Sequence, residues 1–163
     1  MDRALKIING LQKSGLIKSY AIGGGIAATY YIEPILTYDL DIFFIPREES
    51  LDVLSPIYDE LIRRGCRPEK ELIVIEGVPV QLIPVYNRLV REAVETSVES
   101  TYKKVKVRIV NPEYLLAIAL QTNRSKDRER AIQLLDQAKL DSRSLVRLLK
   151  KFGLYDRYRK LKA

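Results

Sequence analysis

The chain predicts an α/β (α+β) fold: a short mixed β-sheet flanked by helices, with a helical extension at the C-terminal end. Three observations predict it. Short apolar, β-branched runs alternate with segments of helical spacing through residue 110. From Pro112 onward only helical spacing is left. Glycines and the pairs Glu33-Pro34 and Glu76-Gly77 punctuate the joints. Strands interleaved with helices, then helices alone, read as a sheet-bearing core over residues 1–110 with a helical subdomain, 111–163, packed on it.

The elements follow in order. Leu5, Ile8, Leu11 and Leu16 have helical spacing, and Gly15 is the stop signal. Ile17 to Ile22 reads as a buried strand. Gly23-Gly24-Gly25 turns the chain into a second helix over Ile26–Ile32, which Glu33-Pro34 ends. Leu40 to Ile45 is a strand apolar on both faces past Asp41, so it belongs at the centre of its sheet. Pro46 is expected to open a helix carrying Leu51, Leu54, Ile57, Tyr58, Leu61 and Ile62, stopped by Gly65. Leu72–Ile75 and Val78–Ile83 form a hairpin about Glu76-Gly77, with Pro79 suited to a first position or an edge. Tyr86–Ser97 reads as helix and Tyr102–Val110 as one strand. Pro112 after Asn111 starts a helix. Asn123 or Ser125 caps the next, and Asp141 or Ser142 a third that ends at Gly153, before a very basic tail.

Composition narrows the chemistry. The chain of 163 residues has no histidine and one cysteine, Cys66, so Cys/His zinc sites and Ser-His-Asp or Cys-His catalysis are excluded within one chain. No disulfide can form within it, which makes a reducing cytoplasm the expected setting, and no apolar run reaches the roughly 20 residues of a membrane span. The net charge of +7 is uneven. Residues 1–110 carry 15 Lys/Arg and 15 Asp/Glu, whereas residues 111–163 carry 13 and 6. The excess lies in the C-terminal third and suggests a polyanion-facing surface there.

What remains is carboxylate-plus-metal chemistry. Asp39 and Asp41 stand one residue apart at the entry of a strand, so their side chains share a side of the sheet. Fourteen residues earlier the three glycines end a strand and open a helix, where backbone N–H groups can hold phosphate oxygens. Together they would place magnesium (or manganese) beside a polyphosphate, the minimum apparatus for moving a nucleotidyl group. Tyr38, adjoining Asp39, is a candidate nucleobase platform. Tyr30 and Tyr31 read as core packing and Cys66 as a small apolar filler.

On these residues the chain resembles the nucleotidyltransferase superfamily that includes DNA polymerase β. The run Gly24-Gly25-Ile26-Ala27-Ala28, then Glu33-Pro34, Leu36-Thr37 and Asp39-Leu40-Asp41, looks most like its minimal branch, related to the AbiEii-type toxins of abortive-infection systems. Pro112-Glu113-Tyr114-Leu115-Leu116-Ala117 and Arg124-Ser125-Lys126-Asp127-Arg128 resemble that branch's helical K-D motif. The resemblance implies a nucleotidyltransferase fold. It also implies that Asp39 and Asp41 bind metal, that Gly23, Gly24 and Gly25 hold the NTP triphosphate, that Lys126 contacts phosphate, and that Asp127 assists the site or orients Lys126. Arg124, Arg128 and Arg130 lie in the same basic cluster. The implied reaction moves a nucleoside monophosphate to a hydroxyl of an RNA or tRNA end, a protein or a small molecule. The branch adds a toxin role with an antitoxin protein as partner. Two departures stand out: Gln81 occupies the place where a third carboxylate is looked for, and Ile35 the place where relatives carry a basic residue. An enzyme working with two acids, a degenerate module that binds nucleotide or RNA, and a plain nucleic-acid-binding domain are the readings left open.

Overall fold

A computed structural model describes residues 1–163 and shows one seven-stranded mixed sheet in the order β3-β4-β5-β2-β1-β7-β6. The strands are β1 (Ile17–Ile22), β2 (Leu40–Pro46), β3 (Arg67–Glu69), β4 (Leu72–Ile75), β5 (Val78–Pro84), β6 (Val98–Tyr102) and β7 (Val105–Ile109). The helices are α1 (Asp2–Lys13), α2 (Gly24–Ala28), α3 (Ser55–Arg63), α4 (Arg88–Glu95), α5 (Pro112–Thr122), α6 (Ser125–Gln137), α7 (Ser142–Lys151) and α8 (Tyr155–Lys162).

β2 is the middle strand, as its two apolar faces require. It runs antiparallel to β1 and parallel to β5, and Ile42, Phe43, Phe44 and Ile45 are all buried. α1 lies against β1 and β7, and α4 against β1 and β2. Leu115, Leu116, Ala117, Ile118, Ala119 and Leu120 of α5 are buried in the same core as the strands. That near-continuous apolar run suits a helix covered on several sides: α4, α6 and α7 all pack on it.

Several elements depart from expectation. The second helix begins at Gly24 and ends at Ala28, followed only by turns to Ile32. Thr29 donates its hydroxyl to the Ile26 carbonyl at 2.6 Å, offering the backbone a local alternative to a longer helix. Pro46 closes β2 rather than opening a helix. The polar stretch Arg47–Ser50 has no face to bury, Leu51 is fully exposed, and α3 starts at Ser55, whose N–H donates to Asp52 Oδ1 at 3.0 Å.

The expected strand Tyr102–Val110 is a hairpin of β6 and β7. Its turn is Lys103-Lys104, both at positive φ (43° and 69°), where glycine or asparagine would have signalled it. β3 is an exposed edge strand with no apolar alternation to announce it. Pro79 sits at the second position of β5, before pairing with β2 begins at Leu40–Val80. The strand there has a neighbour on one side only, which is the edge condition proline needs. Arg124, not Asn123 or Ser125, stands at the N-cap of α6, because Asn123 is spent closing α5 in the left-handed region (φ 53°). The basic tail forms α8.

Candidate active site

The hairpin and crossover geometry bring β2 and β5 side by side with Asp41 in register with Gln81 and Phe43 with Ile83. In a pleated strand residues two apart share a face, so all four look to the same side. α5 and α6 close over that side. The result is a cavity of ≈ 410 Å³ lined by Gly24, Asp41, Phe43, Gln81, Ile83 and Tyr86 from the sheet side, and by Leu115, Ile118, Ala119, Thr122, Arg124, Lys126, Asp127 and Arg130 from the helices.

Asp41 is the centre of it. Its carboxylate lies directly over the Cα of Gly24, so closely that any Cβ there would overlap Oδ2, and Gly24 also holds φ +59°. Both facts demand glycine at this position. Asp41 Oδ1 is buried and accepts no hydrogen bond. Burial first, and the like charge of Asp39 second, push the Asp41 carboxyl up from 3.8 to about 6, against the pull of Arg130, Lys126 and Arg124.

The remaining expected residues divide. Asp39 is a bend residue one position before β2 rather than part of the strand. It does not line the cavity, but its charge is felt at Asp41. The Gly23 N–H donates to the Asp41 carbonyl at 2.9 Å, so it is spent on the sheet and withheld from phosphate. Gly24, Gly25 and Ile26 open α2 and have no intrahelical acceptor for their N–H groups. Lys126 lines the cavity from the first turn of α6. Gln81 stands beside Asp41, where a third carboxylate was looked for, and no group of three acidic, Cys or His side chains converges anywhere in the protein.

Asp127 also lines the cavity. It is buried, and both its oxygens are engaged: Oδ2 accepts from Thr122 Oγ1 at 2.8 Å and Arg124 Nε at 2.7 Å, and Oδ1 faces Arg124 Nη2 at 3.4 Å and Arg130 Nη1 at 3.6 Å. Burial pushes its carboxyl up, yet the hydrogen bonds from Arg124 and Thr122 outweigh that and hold it below the usual range. Asp127 therefore holds two arginines and does not orient Lys126. Tyr38 is 78% exposed and outside the cavity, whereas Tyr86 lines its rim.

Arg130 stands out among the basic cluster. Its Nη2 and the Thr37 side chain both border the space a Cβ on Gly25 would take, its Nη1 pairs with Asp127, and its Nε is buried without an acceptor. Asp41 Oδ1 and Arg130 Nε are the two buried side-chain polar atoms in the protein that have no partner, and both residues line this one cavity.

No family model matches the chain, and no curated protein sequence does. Solved structures do. The solution structure of the antibiotic-resistance factor ANT(2'')-Ia matches with a TM-score of 0.59 at 18% identity, over 99% of this chain and 94% of that one. An antigenic nucleotidyltransferase-like protein from Paracoccidioides brasiliensis matches with 0.55 at 17%, over 100% and 94%. The crystal structure of ANT(2'')-Ia in complex with adenylyl-2''-tobramycin matches with 0.56 at 15%, over 94% and 98%.

The fold is nucleotidyltransferase-like. Within this nucleotidyltransferase-like fold, helical periodicity could have singled out Arg130 in advance. Lys126, Asp127 and Arg130 fall on one face of α6 at spacings of three and four, while Arg128 points away and is exposed. Tyr86 had a weaker signal, its place just past the strand that carries Gln81 and Ile83.

Proposed function

We propose that the protein transfers a nucleoside monophosphate from an NTP to a hydroxyl acceptor, with magnesium (or manganese) as the resident ion and pyrophosphate as the leaving group. The acceptor oxygen bonds to the α-phosphorus, the α–β bridging oxygen departs with the β-phosphate as pyrophosphate, and the hydroxyl proton passes to solvent. The pair of unpartnered atoms supports this reading: an acceptor, Asp41 Oδ1, and a donor, Arg130 Nε, buried in one cavity. A cation on the first and a phosphate oxygen on the second would satisfy both, which is the description of a metal-bound polyphosphate.

Two carboxylates plus substrate phosphates is the donor set a hard divalent ion takes; Asp41 lines the cavity, the charge of Asp39 acts on it, and Gln81 stands in register with it, so these residues fit such an ion. Bound there, the ion would screen phosphate charge and lower the pKa of the attacking hydroxyl. Lys126, Arg124 and Arg130 would grip the polyphosphate, and Asp127 would keep both arginines in place at small entropic cost. The N–H groups of Gly24 and Gly25 would donate to phosphate oxygens. Residues 111–163 would act as the basic helical subdomain that closes the site.

The acceptor is an RNA end, a protein hydroxyl or a small alcohol. The likeness to ANT(2'')-Ia, seen with adenylyl-2''-tobramycin, adds aminoglycosides to the last class. The AbiEii-type resemblance adds a toxin role with an antitoxin partner. A second reading, nucleotide or RNA binding without transfer, is favoured by one observation, the neutral Gln81 in register with Asp41. Labelled NTPs and magnesium, offered with bulk tRNA, protein or aminoglycosides as acceptors, separate the two. Label transfer that disappears in Asp41→Asn supports the enzyme. NTP binding with no transfer to any pool supports the second reading, and neither binding nor transfer removes both.

A further inference from the structure

A second cavity, ≈ 820 Å³ and about twice the volume of the first, opens between α1 and β7. Its origin is a split in the sheet. β1 and β7 pair at a single position, Ile22–Ile109, and diverge below it. Asn9 fills the gap in the ladder: its Nδ2 donates to the Lys106 carbonyl at 2.8 Å while its Oδ1 accepts from the buried Tyr20 hydroxyl at 2.6 Å. A hydrogen-bonded chain from β1 through α1 to β7 thus holds the floor of the groove rigid.

The walls are basic. Lys6 and Lys13 come from one stripe of α1, two turns and about 10 Å apart at 1.5 Å per residue. Lys104, Lys106 and Arg108 come from β7 and the turn before it, over about 13 Å of extended chain. Glu99 is the one acid, and it pairs with Arg108 at 3.6 Å, an arginine also hydrogen-bonded to Ser97. Lys6, Lys13, Lys104 and Lys106 are exposed and take part in none of the ion pairs of the protein. Lysines that merely protect a sheet edge belong on strands; Lys6 and Lys13 are on a helix. The sequence placed the basic excess in residues 111–163, yet the fold gathers four uncompensated lysines from a region of zero net charge.

We propose that this groove binds the sugar-phosphate backbone of a single-stranded nucleic acid, with the four lysines as phosphate contacts. Cations spread along a helix and a strand that line one groove, over about 10–13 Å each, suit a linear run of phosphates rather than one isolated anion. The buried Tyr20 presents no ring for stacking, so recognition is of the backbone and independent of base sequence. This site is separate from the Asp41 cavity and stands whether or not that cavity catalyses transfer.

The test is fluorescence anisotropy with labelled oligouridylate and oligothymidylate, in the absence of NTP and divalent metal, between about 50 and about 200 mM salt. Two charge-matched quadruple variants are compared after their melting curves are checked: Lys6, Lys13, Lys104 and Lys106→Gln in the groove, and Lys139, Lys150, Lys160 and Lys162→Gln in the C-terminal third. The groove variant is expected to lose about tenfold or more in affinity and about 3 units of the log–log salt slope, at roughly 0.7 per phosphate contact. The C-terminal variant is expected to change far less. Equal losses in both variants, no binding by the unaltered protein at the lowest salt, or equal affinity for polyglutamate or anionic vesicles would each overturn the proposal.

Discussion

Replacing Asp41 by asparagine is expected to make the metal-free protein more stable, the reverse of most substitutions at buried positions. The magnitude follows from the position of its carboxyl, raised from 3.8 to about 6 by burial and by Asp39. A shift of about 2 units corresponds to ~3 kcal/mol between the two protonation states. The sign is set by the direction. The folded protein holds this proton more tightly than the unfolded chain, so the raised group favours folding fully below its unfolded pKa and loses that contribution as pH rises through about 6. Above that point the protein carries an ionised, unpartnered carboxylate, and Asp41→Asn removes the cost. Urea unfolding at pH about 8, about 6 and about 4 should show the variant ahead by ~1–3 kcal/mol at the first, by less at the second and by almost nothing at the third. Magnesium added at the highest pH should close the gap by stabilising only the unaltered protein. A variant less stable at pH about 8, or a difference that ignores pH, would refute both the burial argument and the view that Asp41 waits for a cation.

Three further outcomes follow from the same cavity. Gly24→Ala forces a methyl group into the Asp41 carboxylate at a positive φ; it should cost about 2 kcal/mol or more by chemical unfolding and weaken manganese binding measured by titration calorimetry. Asp127→Asn leaves Arg124 and Arg130 without their buried counter-charge. A loss of about 2–4 kcal/mol is expected at neutral pH, shrinking as the pH falls below about 4, because the depressed carboxyl stabilises the fold only while it is ionised; urea unfolding against pH reads this directly. Gln81→Glu puts a third carboxylate in register with Asp41 and should tighten manganese binding at least several-fold in the same calorimetric titration; unchanged affinity would mean that the Gln81 side chain does not face the ion.

Much of the architecture was legible because it rests on local chemistry. The both-faced apolarity of Ile42–Ile45 places β2 in the middle of the sheet, and Glu76-Gly77, both at positive φ, turns the β4–β5 hairpin. The D-x-D and the glycine run pointed to the region where the cavity lies. The hairpin at Lys103-Lys104 was not legible, because a tight turn built from two lysines carries none of the residues that favour positive φ. Nor was the start of α3, since Leu51 keeps helical spacing with residues it never packs against.

The linear chain by itself settled the kinds of chemistry on offer: carboxylates, cations and a glycine bend, with no histidine and one buried thiol. It also settled which segments have a face to bury, since hydrophobic periodicity is a property of neighbours along the backbone. Tertiary structure alone decided how far each polar group is dehydrated and what stands beside it. Asp41 lost its water and found no donor, Asp127 found two arginines, and Lys6 came to line one cavity with Lys106. Charge and solvation act through space and depend on distance and dielectric rather than on position along the chain, so residues far apart in sequence determine the character of the site only once the fold brings them together.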